Sequence, residues 1–146
     1  MPTALEVVTL LLREQPAFHG DGRVSWSASA GLLGLLADLV RPGHVTIETG
    51  SGASTAVFAA AGASHIAISP APDEHARVLA WCEAKGILTT GLRFFAEPSD
   101  VVLPRLAGEG RLDLGFVDGS HSFPPSGCRR PLSRRSPPDR GHPRAR

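Results

Sequence analysis

Gly50 and Gly52 stand one residue apart, between the β-branched run Val45-Thr46-Ile47-Glu48-Thr49 and the alanine-rich run Ala53-Ser54-Thr55-Ala56-Val57-Phe58. No other feature constrains the fold as much. The first run has the branching and length of a strand, the second has the composition of a helix, and the glycines between them predict a tight turn. Glycine is needed there if the backbone takes positive φ, or if another group approaches more closely than a Cβ would allow. Ser54 and Thr55 can cap the helix, and the free N–H groups of its first turn can donate to a carboxylate or phosphate. An ordinary structural turn has the same appearance, because a lone Gly-x-Gly is a weak signal.

The helix after the turn closes at Gly62, a residue suited to a left-handed C-terminal position. His65-Ile66-Ala67-Ile68-Ser69 then reads as a second strand. Strand, helix and strand in about 25 residues make a parallel βαβ unit, whose crossover is expected to be right-handed. A helix over 73–85 turns Val78, Leu79 and Cys82 inward and stops at Gly86; strands follow over 92–96 and 112–117. Before the turn, Leu5, Val8, Leu11 and Leu12 fall at helical spacing within 4–14. Leu32, Leu33, Leu35, Leu36, Leu39 and Val40 give a helix over 27–40 a face wide enough to pack on a sheet, ended by Arg41-Pro42-Gly43. Trp26, just before that helix, suits either the rim of the core or a substrate entrance.

A chain of 146 residues allows one domain of ordinary size. The formal net charge of +1 hides an asymmetry: residues 1–124 hold 8 Lys/Arg and 13 Asp/Glu, whereas residues 125–146 hold 7 Arg and 1 Asp. Cys82 and Cys128 are too far apart for a Cys-x-x-Cys site, and two cysteines do not make a secreted disulfide framework, so a reducing cytoplasm is expected. Glu6 and Arg13 break the N-terminal apolar run, and nothing approaches the roughly 18 apolar residues of a membrane span. A soluble protein without membrane partners is expected.

Spacing separates the ligands such a turn can serve. A phosphate loop needs Gly-Lys-Ser/Thr, and this chain has Gly52-Ala53-Ser54. A dinucleotide fingerprint needs a third small residue three positions after the second glycine, where Thr55 stands. The pattern apolar-Glu48-Thr49-Gly50-Ser51-Gly52 resembles the first motif of class I S-adenosylmethionine-dependent methyltransferases. Asp118-Gly119-Ser120-His121, at the carboxyl end of the last strand, resembles the Asp-Gly-x-His segment of one branch of that family. The resemblance covers about residues 24–124. It implies an α/β, Rossmann-like parallel sheet of about four strands in order 3-2-1-4, incomplete relative to the family, and methyl transfer from S-adenosylmethionine to a small-molecule acceptor.

By that resemblance the loop Glu48, Thr49, Gly50, Ser51, Gly52, Ser54 and Thr55 wraps the methionine end of the cofactor, and Glu48 helps hold its ammonium. The family's acidic ribose-binding residue after the second strand is missing; Ser69-Pro70 stands there, which makes Ser69 the candidate. Asp73 and Glu74 follow, and both suit the first turn of the next helix. Glu97 and Ser99 correspond to a loop bordering the adenine, although Ser99 or Asp100 also suits a helix cap. Strand ends in an open α/β sheet converge on one crevice, so Glu48 and Asp118 should meet there. Asp118 can take a proton from a substrate hydroxyl, hold a divalent metal, or order His121; His121 can act as a base near neutrality or as a hydrogen-bonded turn residue. The remaining histidines, His19, His44, His65, His75 and His142, show no ligand spacing and read as surface or packing residues.

At Pro125 the pattern stops. Residues 125–146 carry five prolines and almost no apolar side chains, which predicts a disordered basic tail. Such a tail can bind nucleic acid through phosphates, yet it has no aromatic residue for stacking, which argues against nucleic acid as a partner. A shifted reading frame or truncation is the rival origin, since the family continues with a further helix and strands. Two expectations follow: a non-catalytic remnant as the alternative function, and self-association through the exposed strand 112–117.

Overall fold

The computed structural model describes residues 1–20, 28–108 and 110–118. Their elements run α1 (Ala4–Glu14), α2 (Ala30–Leu39), β1 (Val45–Thr49), α3 (Ala53–Ala60), β2 (Ser64–Ile68), α4 (Pro72–Ala84), β3 (Leu92–Phe95), α5 (Ser99–Leu106) and β4 (Leu114–Val117). The strands form one parallel sheet in the order β3-β2-β1-β4. This is the expected α/β, Rossmann-like arrangement, with β1 at the centre and the glycine turn at its carboxyl end. Trp26, Gly119, Ser120, His121 and the tail 125–146 lie outside the described residues.

Pairing register decides which side chains share a face. Thr46 lies opposite His65 and Leu114, Glu48 opposite Ala67 and Phe116, and the same row continues to Leu92 and Phe94 on β3. That face meets the helices: Leu92, Phe94, Leu114 and Phe116 pack against the main core of Val57, Phe58, Leu33, Val78 and their neighbours. Ile47, Ile66, Phe95 and Val117 share the opposite face. There Ile47, Ile66 and Phe95 are half-buried, while Val117 is 79% exposed.

Helix α1 starts in a capping box, with Glu6 N–H donating to Thr3 Oγ1 (3.3 Å) and Thr3 N–H to Glu6 Oε2 (2.7 Å). Its buried stripe is Val7, Val8 and Leu11, whereas Leu5 and Leu12 stay largely exposed. Leu35 and Leu39 of α2 are likewise exposed, and Leu33, Leu36 and Val40 carry the packing. The expected broad faces are narrower because α2 packs chiefly on α1 and α3, and a helix touching two helices buries a stripe. Asp113 fastens β4 to the start of β1: its carboxylate accepts the Val45 N–H at 2.9 Å and its own N–H donates to Val45 O at 2.8 Å.

Candidate functional site

The two glycines of the turn have different reasons to be glycine. Gly50 takes φ 113°, a conformation closed to L side chains, and its N–H donates to Ile68 O at 2.7 Å, closing the turn onto β2. Gly52 has φ 163°, extended backbone open to any residue. Its constraint is space: an added Cβ would lie 3.0 Å from His19 Nε2. Between them, Ser51 is buried and its hydroxyl finds no hydrogen-bond partner among the described residues. The first N–H groups of α3 lie at this point, without intrahelical acceptors as at any helix start.

Glu48 lies in the core. It is 1% exposed, on the face packed by α3. Ser54 Oγ donates to its Oε2 at 2.6 Å; Thr55 Oγ1 donates to its Oε1, which also receives His65 Nε2 at 3.2 Å. A carboxylate accepting from Nε2 places the proton there, so His65 Nδ1 accepts from Thr46 Oγ1 at 2.7 Å. Phe58 stacks on the His65 ring, with centroids 4.1 Å apart and planes at 11°. Thr55 Oγ1 in turn accepts the Gly52 N–H at 2.9 Å. Ser54 and Thr55, expected as caps, therefore tie the start of α3 to β1, and only Thr55 also serves the backbone of the turn. The network was missed because β1 carries apolar Val45 and Ile47 alternating with polar Thr46 and Glu48, and the polar set is the one that faces the helices.

At the end of β2, Ser69 is buried and its hydroxyl donates to Glu74 Oε2 at 3.2 Å. Glu74 sits in the first turn of α4 as expected, yet its other oxygen reaches further: Oε1 accepts the Gly20 N–H at 3.3 Å and lies 3.4 Å from His19 Nδ1. Arg77, one turn on, donates to Phe18 O at 2.8 Å and Gly20 O at 2.7 Å. His19 and Glu74 thus meet beside the turn, which the sequence did not show because the tie that joins these segments, Gly20 to Glu74, links positions 54 residues apart. A hint existed: Ser69 and Glu74 flank the β2–α4 turn.

Beyond β3, Glu97 pairs with Arg105 at 2.6 Å, and Pro98, not Ser99 or Asp100, takes the N-cap position of α5. Asp118 follows β4, with its N–H donating to Thr49 O at 3.1 Å. Asp118 thus stands exposed at the same sheet edge as the turn, while the Glu48 carboxylate lies beneath it in the core. His75 packs at 4.6 Å from the Phe94 ring and burial lowers its pKa, against opposing effects of Glu74 and Glu48. Burial likewise pushes the Cys82 thiol up to about 11, which removes it from thiolate chemistry. Among the described residues no group of three His, Cys, Asp or Glu side chains gathers to hold a metal ion, and no helix is long and apolar enough to cross a membrane. A surface concavity lined by Met1, Pro2, Glu6, Thr9 and Leu10 lies on α1 and contains none of these site residues.

The fold is similar to that of a solved structure, the C-terminal domain of precorrin-6Y C5,15-methyltransferase from Rhodobacter capsulatus. The match has a TM-score of 0.54 at 20% identity and covers 75% of this chain. The chain shares a fold with that domain. It spans 61% of that domain's chain. No protein-family model and no curated protein matches the sequence.

Proposed function

We propose that this chain binds S-adenosylmethionine and serves methyl transfer to a small-molecule acceptor. The observation that carries the proposal is the buried, unpartnered Ser51 hydroxyl in the glycine turn, beside the free N–H groups of α3, on a sheet shared with a methyltransferase domain. That donor set fits the amino-acid end of the cofactor. Thr49, Gly50, Ser51 and Gly52 would hold this end. Glu48, Ser54 and Thr55 act beneath it as positioning residues, since their hydrogen bonds fix where α3 begins relative to β1. Ser69 would meet the ribose hydroxyls with Glu74, the acidic group its hydroxyl contacts, and Glu97 and Ser99 would border the base.

When bound, S-adenosylmethionine supplies a methyl group on a sulfonium, open to attack by an acceptor nucleophile. The protein's task is then mostly alignment. Asp118, exposed just after β4, would orient an acceptor hydroxyl or amine and receive its proton, with His121 as the second candidate base. Whether a divalent metal joins Asp118 is a separate question, answered by assaying turnover with and without a chelator.

Titration calorimetry of the purified chain tests the proposal. Binding of S-adenosylmethionine or S-adenosylhomocysteine, with no heat from NAD, is the expected result; tighter binding of NAD overturns it. A second reading is that the chain binds the cofactor without turnover. Binding without methylation across a panel of phenolic, amine and carboxylate acceptors would support that reading.

A further inference from the structure

We infer that two copies of this chain join through β4, edge to edge and antiparallel about a two-fold axis, with Gly115 of each opposite the partner's Val117. β4 ends the sheet on the side away from β3, and its inner edge is taken up by β1. Thr49 lies opposite Val117 and Ile47 opposite Gly115, and the Asp118 N–H donates to Thr49 O. In a parallel ladder of that register the backbone groups turned toward β1 belong to Leu114, Phe116 and Asp118. The N–H and C=O of Gly115 and of Val117 therefore point outward, and among the described residues none bonds to them. They form an open edge.

A second copy fits this edge because the edge is complementary to itself. Antiparallel strands exchange both N–H···O bonds where two outward-pointing residues meet, so Gly115 can stand opposite either its own copy or the partner's Val117. The first register puts Asp113 opposite Val117, and the Asp113 N–H is already committed to Val45 O. The second lets Gly115 and Val117 of both strands exchange every outward bond. It also brings the exposed Val117 side chain over Gly115 on the open face of the sheet, where a Cβ would meet nothing nearer than Ile47 Cγ2 and Leu112 Cδ2, each at 3.9 Å. On the other face Phe116, half-buried in one copy, meets its own copy across the axis as an aromatic cross-strand pair. Asp118 falls opposite Leu114, so no carboxylate of β4 or its end faces another. The two sheets become continuous, with their helical layers on the same side. The remainder of the chain competes poorly: no stretch of residues 119–146 exceeds five residues without proline, which lacks the donor that an added strand needs.

Sedimentation and amide exchange on the full chain at rising concentration test this. A monomer–dimer equilibrium that stops at the dimer is expected, because a two-fold contact closes on itself, and it should be weak, because one strand pair lies at the low end of interface size. Exchange at the Gly115 and Val117 N–H groups should slow about tenfold between dilute and concentrated protein, while Phe116 and Asp118, already bonded to β1, change little. Val117→Pro removes only an outward donor, a change an edge strand tolerates, and takes one bond from each half of the dimer. It should raise the dissociation constant about tenfold and leave the melting temperature of the dilute protein little changed. A monomer at every concentration, assemblies that grow past the dimer, or Val117→Pro chains that associate like wild type overturn the inference. Protection that falls on Gly115 without Val117, or on another element, overturns it as well. Should Val117→Pro not fold, the wild-type exchange pattern decides alone.

Discussion

Gly50 and Gly52 look alike in the sequence, and the structure gives them separate tests. Gly50→Ala puts a side chain at φ 113°, so strain of about 1–3 kcal/mol should appear as a lowered melting temperature. Gly52→Val keeps an allowed backbone, since φ is 163°, but drives its branched side chain into His19, whose Nε2 is 3.0 Å from the Cβ position. The expected outcome is a folded protein, destabilised by about 1–3 kcal/mol through overpacking, that no longer binds S-adenosylhomocysteine. Melting curves and calorimetry on the two variants check this. Retained affinity in folded Gly52→Val would make the turn merely structural. The need for glycine was legible at both positions; the division between torsion at Gly50 and space at Gly52 was not, because the crowding group is a histidine from another part of the chain.

Among elements, β1, α3 and β2 are joined by the Glu48 carboxylate. Glu48→Ala leaves the His65 N–H and two hydroxyls without their acceptor in the core, a loss on the order of 3 kcal/mol in urea unfolding. Glu48→Gln keeps the shape and should fall between that variant and wild type. An unchanged midpoint for Glu48→Ala would show that the network contributes nothing. The attachment of β4 to β1 is the second test. The Val45 N–H, then Arg111, holds the Asp113 carboxyl below its ordinary 3.8. A depressed folded pKa gives stability that is present above the unfolded value and lost as pH falls through the folded one. Amide exchange along β4 should therefore quicken as pH drops below 3.8, after correction for intrinsic rates, and Asp113→Ala should quicken it already at neutral pH. Equal protection in variant and wild type would place the attachment of β4 elsewhere.

Taken whole, the sheet is well covered by helices on one face and half-covered on the other among the described residues. Parallel sheets are ordinarily buried on both faces, and an edge strand offers unpaired backbone groups to other chains. Val117, at 79% exposure on β4, is the most exposed large apolar side chain among the described residues. The expected behaviour is concentration-dependent association in sedimentation, with net stability toward the low end of the usual 5–15 kcal/mol. Val117→Lys should reduce the association without lowering the melting temperature. A monomer at all concentrations, unfolding cooperatively at high temperature, would contradict this.

The residues of β1, the glycines and the alanine-rich helix start determined by themselves that a strand, a turn and a helix follow one another, and the later strands determined a parallel α/β sheet. These are local matters of side-chain branching and backbone freedom. Which face of β1 is buried was settled by tertiary structure, because register sets Thr46 beside His65 and brings the hydroxyls of Ser54 and Thr55 onto Glu48. The same holds for His19 and Glu74, whose meeting at the turn depends on Arg77 fastening a distant segment to α4. A periodic pattern reports only neighbours along the chain. The side chains that define this site are neighbours across it.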